Sequence, residues 1–220
     1  MSYYPSYQEQ LGALSPTEKD IATKLPNLED IDGWLLLSEA VELFSLATHI
    51  TSSIPIICEI GVWKGKSSYV FASALRKMGG TLYSIDPFNG DGDSVSRDDY
   101  RKEISNMPVT LLQNFEQTIN KYDLSGIVKV LPMLSEDARG KFPESKIDLL
   151  FIDGNHDYDA VKKDYELWSP LIPSKGTIVL HDVLAKHTDG PRRVMEDFIK
   201  QNPVWENVRI VGEMCVATKV

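Results

Sequence analysis

Ile147-Asp-Leu-Leu-Phe-Ile-Asp153-Gly-Asn-His156 and Thr177-Ile-Val-Leu-His181-Asp182 are two short apolar runs, each ending abruptly in polar side chains that can ligate. Runs this short and apolar read as strands buried on both faces. In a parallel sheet such strands deliver polar residues at their carboxyl ends, where ligands bind. A polar helical stretch separates the two runs. Upstream, Ile56-Ile-Cys-Glu59-Ile-Gly61-Val-Trp63-Lys-Gly65-Lys-Ser67 ends in the same way.

Working outward, strands are expected at 56–60, 81–85, 127–131, 147–152 and 176–180. Helices are expected at 66–78, at 98–121 with a break at Pro108, and at 135–141, 158–168 and 191–201. Two closing strands, 206–211 and 213–218, flank Gly212 as an antiparallel hairpin. This alternation predicts an α/β, Rossmann-like, doubly wound sheet of seven mostly parallel strands. A helix from Ser38 to His49, extending back to Trp34, precedes it. Residues 1–30 carry Pro5, Pro16 and Pro26 and read as an arm with one short helix after Ser15-Pro16. The expected division is 1–50 for the helical arm and 51–220 for the main domain. Asn89-Gly-Asp-Gly-Asp-Ser94 reads as a flexible acidic loop, without the distal glutamate of an EF-hand.

A formal charge of −9 over 220 residues, with no basic run, disfavours a nucleic-acid partner and leaves a small-molecule substrate. No stretch approaches eighteen apolar residues and the amino terminus lacks a signal-peptide charge pattern, so no membrane partner and a cytoplasmic location are expected. Cys58 and Cys215 both sit in apolar runs and read as buried free thiols. The proline-bearing arm offers a surface for a homo-oligomer.

The loop Gly61-Val-Trp-Lys-Gly65-Lys-Ser67 has three residues where a phosphate loop needs four, and it lacks dinucleotide-binding glycine spacing. Glu59 would repel a pyrophosphate and suits a cationic ligand. A ligand with an amino group, a ribose and a sulfonium fits: S-adenosylmethionine. Gly61 and Gly65 let the backbone approach it, Trp63 flanks it, and Ser67 opens the next helix. Asp86, twenty-five residues after Gly61, is placed to hold the ribose diol.

In the order and spacing of these motifs, residues 30–220 resemble class I S-adenosylmethionine-dependent methyltransferases, and more narrowly the metal-dependent small-molecule O-methyltransferases of the catechol and macrocin types. The glycine motif matches 59–67, the ribose acid Asp86, and the serine near the adenine Ser135. Gly33-Trp34-Leu35 resembles the helix entry of the macrocin-like branch, with Trp34 lining the substrate entrance. The resemblance implies methyl transfer to a hydroxyl of a sugar, polyketide or phenol.

An alcohol ionises poorly at neutral pH, so a divalent cation that lowers its pKa is expected. Asp153 and Asp182, ending neighbouring strands, are hard-oxygen ligands, and Asp153 also borders the cofactor. The resemblance makes the metal set Asp153, His181 and Asp182, with Mg²⁺ first and Mn²⁺ or Fe²⁺ as alternatives. His181 stands where the family places an acid or amide, and imidazole favours the softer ions. Adjacent strand residues face opposite ways, so His181 can ligate only if the chain has already left the strand. His156 matches the family's general base, and imidazole titrates near neutrality. The alternative is an iron-dependent hydroxylase of the cephalosporin hydroxylase-like type on the same fold.

Overall fold

A computed structural model describes residues 5–220; the first four residues of the expected arm lie outside the described residues. The sheet strands are β1 (Ile56–Ile60), β2 (Thr81–Ile85), β3 (Val128–Leu131), β4 (Leu149–Ile152), β5 (Thr177–Leu180), β6 (Trp205–Val211) and β7 (Met214–Lys219). Their order is β3-β2-β1-β4-β5-β7-β6, with β1 to β5 parallel and β7 antiparallel to both neighbours. The closing hairpin therefore tucks its second strand against β5 and leaves β6 at the edge.

Strand side chains alternate between two helical layers, as the period of two demands. Ile57, Leu82, Leu149, Phe151 and Val179 face one core. Ile56, Cys58, Ile60, Leu150, Ile152 and Leu180 face the other. The first core is covered by α1 (Tyr7–Ala13), α2 (Pro16–Ala22), α3 (Leu37–Thr48), α4 (Lys66–Leu75) and α6 (Leu111–Lys121). The second is covered by α7 (Ser135–Arg139), α8 (Tyr158–Trp168) and α9 (Gly190–Val194), which continues as a π-helical turn over Met195–Ile199. α5 (Arg97–Ser105) has no buried residue and lies outside both layers. Pro108 falls in the break between α5 and α6, as expected.

Two expectations are corrected near the amino terminus. Two short helices form where one was expected, because Ser6 and Glu9 make a capping box just as Ser15 and Glu18 do. Leu14, Ala22, Leu25 and Leu28 are buried in the first core, so these residues are part of the packed layer. α3 starts at Leu37 and not Trp34: Glu39 Oε2 accepts the Leu36 N–H and sets the helix start. Cys58 and Cys215 are both buried and unbonded. Among the described residues no helix is long and apolar enough to cross a membrane.

Candidate functional site

β1 connects outward through α4 to β2 on one side, while β4 pairs with β1 on the other, so the chain diverges at the carboxyl ends of β1 and β4. Such a divergence opens a crevice in a doubly wound sheet. Here it is a cavity of about 1240 Å³ lined by Gly61, Trp63, Ser67, Asp86, Ser135, Asp153, His156 and Asp182. That exceeds the roughly 300–1,000 Å³ of a single small-molecule site and leaves room for two ligands side by side. Of the expected site residues, Glu59, Gly65 and His181 do not line it.

Glu59 lies wholly beneath the cavity floor. Its carboxylate accepts hydroxyl hydrogen bonds from Ser67, Ser68 and Ser84, and burial pushes its pKa up to about 7 against the pull of those three donors. Ser67 thus holds Glu59 while its other side borders the cavity. Gly61 has φ +85°, and a Cβ there would lie 1.9 Å from the Asp153 carbonyl oxygen. The turns after β1 and β4 press together, so this glycine serves backbone packing as well as access. Gly65, at φ +91°, faces the Phe115 ring of α6, where a Cβ would come within 2.8 Å. The absent side chain lets α4 and α6 approach closely here.

Asp86 reaches from the end of β2 to the glycine turn. Its Oδ2 accepts Val62 N–H at 2.8 Å and Trp63 N–H at 3.2 Å, and its Oδ1 accepts Phe88 N–H at 2.6 Å. Burial raises its pKa in spite of these donors. Ser135 donates to Asp164 of α8, and both border the cavity. Burial lifts the Asp164 pKa to about 6. With Asp86, Asp153, Asp159, Asp182 and Glu213 also on the wall, acidic groups outnumber Lys66, Lys163 and Lys186, and the cavity suits a cationic ligand.

The second half of the cavity is an acid–imidazole centre. β5 ends at Leu180, and Asp182 takes φ +57°, a left-handed turn that lets His181 and Asp182 converge. This removes the objection that adjacent strand residues diverge. His181 Nδ1 lies 3.3 Å from Asp153 Oδ1 and 3.3 Å from Asp182 Oδ2. His156 Nε2 lies 3.1 Å from the same Asp182 oxygen and 3.6 Å from the same Asp153 oxygen. Donor atoms of Asp153, His181 and Asp182 all lie within 4.8 Å of one another, which fits a divalent ion.

Without an ion these acids hold protons on the imidazoles. Burial alone would lower the pKa of His156, but Asp153, Asp182 and Asp93 outweigh it and raise it well above 6.5. His181 behaves alike: burial lowers, while Asp153, Asp182 and Glu39 raise further. Burial would raise Asp182, but both imidazoles keep it far below the usual carboxylate range. His156 lines the cavity, and its Nε2, the atom expected to act as general base, is buried between Asp153 and Asp182.

Three residues of the site escaped the sequence reading. Asp93, in the loop read as flexible and acidic, is buried and meets His156 Nδ1 at 3.0 Å. Glu39 of α3 is fully buried and meets His181 Nε2 at 3.2 Å. Tyr100 of α5 packs with Trp34 and Trp63 at ring separations of 5.2–5.5 Å, forming an aromatic wall. Each comes from 63 or more residues away, or from an element that reads as surface, so no local pattern marks them in the sequence.

Comparison with known proteins accords with this geometry. The chain is 25% identical over 128 residues to the uncharacterized protein y4gI of Sinorhizobium fredii, a stretch of 57% of this chain and 13% of that protein. The chain thus spans about an eighth of that relative's length. The O-methyltransferase NovP superposes with a TM-score of 0.66 at 18% identity, over 84% of this chain and 80% of its own. An O-methyltransferase from Bacillus cereus, solved with SAH, gives 0.62 at 18% identity over 96% of both chains. A putative caffeoyl-CoA O-methyltransferase from Staphylococcus aureus gives 0.62 at 17% identity, over 97% of this chain and 96% of its own. The fold is therefore that of the S-adenosylmethionine-dependent O-methyltransferases. The family described as "Methyltransferase domain" matches residues 58–183, more than half of the sequence, and the chain belongs to that family.

Proposed function

We propose that the protein transfers a methyl group from S-adenosylmethionine to a hydroxyl of a small molecule, at a divalent ion held by Asp153, His181 and Asp182. The observation that carries this is one continuous cavity running from Asp86 and Ser135 to the acid–imidazole centre. The likeness to NovP and to the Bacillus cereus enzyme supports the same chemistry. When bound, the cofactor supplies an electrophilic methyl group, and the ion lowers the pKa of the acceptor hydroxyl.

The residues of this chain then have distinct tasks. Asp86, Ser135 and the Gly61–Trp63 turn would hold the cofactor, and the acidic wall favours its positive charge. Trp34, Trp63 and Tyr100 would hold the acceptor, since a flat aromatic wall suits a sugar face or a phenolic ring. Asp153, the most open side chain of the centre at 25% exposed, would take the hydroxyl proton. Methyl transfer is preferred to the hydroxylase alternative because the centre opens directly into the cofactor half of the cavity.

Titration calorimetry with S-adenosylhomocysteine on the full chain tests the cofactor half: Asp86→Ala should weaken binding at least 10-fold. Methyl transfer to a panel of sugars, polyketides and phenols should fall at least 100-fold in Asp153→Ala and be lost on chelation. Unchanged binding in Asp86→Ala, or unchanged turnover in Asp153→Ala, would refute the corresponding half.

A further inference from the structure

Four of the six contacts between these imidazoles and acids share only two oxygen atoms. His156 Nε2 and His181 Nδ1 each approach Asp153 Oδ1 and Asp182 Oδ2, at 3.1–3.6 Å. Donors bonded to one ion at about 2.1 Å lie roughly 3.0 Å apart at right angles and roughly 3.4 Å apart at the tetrahedral angle. Three of the observed edges, at 3.1–3.3 Å, fall in that range, and His156 Nε2 to Asp153 Oδ1, at 3.6 Å, lies just beyond it. Both nitrogens are buried, and neither makes a hydrogen bond in spite of the short distances.

The opposite nitrogen of each ring is tied down. A carboxylate can only accept, so His156 Nδ1 donates to Asp93 and His181 Nε2 donates to Glu39. Asp93 is itself fixed by Val95 and Ser96 N–H groups, and Glu39 by Leu36 and Glu213 N–H groups. A carboxylate behind an imidazole is the arrangement that orients histidine ligands and raises their basicity. The centre has it twice.

We infer that His156 is a fourth donor, through Nε2, to an ion also held by His181 Nδ1, Asp153 and Asp182, with Asp93 and Glu39 as positioning residues. This rests on the metal-assisted reading above and refines it: His156 has no lone pair left to act as a base, and two imidazoles select Mn²⁺, Fe²⁺, Co²⁺ or Zn²⁺ over Mg²⁺. The site then depends on the loop bearing Asp93, which couples the ion to the segment over the acceptor side.

The test uses the full chain, stripped with chelator and reloaded with Mn²⁺ alone. Pulsed electron paramagnetic resonance should count two coordinated imidazole nitrogens in the unaltered protein, and one in His156→Ala. Mn²⁺ should bind at least 10-fold more tightly than Mg²⁺, and Asp93→Asn should weaken Mn²⁺ binding about 10- to 100-fold while leaving both nitrogens countable at saturation. A single nitrogen in the unaltered protein overturns the inference and leaves the three-residue site intact. No Mn²⁺ binding at all overturns the metal reading itself. Because the unaltered protein alone decides the nitrogen count, a poorly folding variant does not blunt the test.

Discussion

Glu59 illustrates how a residue's type can be readable when its task is not. Its carboxylate beside a glycine turn argued against a phosphate ligand, yet the side chain lies under the floor and off the cavity wall. The consequence is a measurable pH effect. Its folded pKa of about 7 lies above the usual 4.5, so between those values the folded state binds the proton more tightly than the unfolded state. Protonated Glu59 therefore contributes stability that is fully present below pH 4.5 and is lost as pH rises through about 7. Glu59→Gln should remove this dependence. In urea titrations from pH 4.5 to 8, the stability of the unaltered protein relative to the variant should fall by about 3 kcal/mol, from 1.36 kcal/mol per pH unit. A constant difference across that range would contradict the burial argument. Asp86, Asp153 and Asp182 were legible because each follows an apolar strand. Asp93 was not, because nothing within its own loop indicates that it reaches a histidine 63 residues away.

Strands and long helices were placed by periodicity to within a few residues, since each carries a repeating apolar face. The amino-terminal helices were harder. α1 has no buried residue, and α2 buries only Ala22, so neither shows a strong apolar stripe. Their value lies in the connections, where Leu14 and Leu25 insert into the core beside α3 and α4. Burying two leucines contributes about 3–6 kcal/mol, a large part of a typical domain's stability of about 5–15 kcal/mol. A chain lacking residues 1–27 should therefore unfold at a clearly lower urea concentration or fail to fold cooperatively. An unchanged midpoint would mean that these segments do not support the core. The α5 segment is the opposite case: it has no fully buried residue, but Tyr100 packs on Trp34 and Trp63, and Lys64 ties it to the chain before α3 through Glu103 and Asp32.

For the whole molecule, the cavity wall is assembled from the ends of several strands of one sheet, so a ligand in the cofactor half should stabilise the entire domain. At 100 times its dissociation constant, S-adenosylhomocysteine should add about 2.7 kcal/mol, equal to a rise of roughly 5–11 °C in Tm for a chain this long. Absence of any shift would argue against cofactor binding, and the same rise in Asp86→Ala would move the site elsewhere. The sequence by itself determined the doubly wound sheet, the antiparallel closing pair and the acids at the strand ends, because strand alternation and chain direction place those residues without reference to anything distant. Tertiary structure alone decided which of them line the cavity. It sank Glu59 beneath three serines, turned Asp182 left-handed so that His181 could join it, and brought Glu39 and Asp93 behind the two imidazoles. Those outcomes depend on side chains arriving from separate elements, and the burial that sets their charge exists only once the layers have closed.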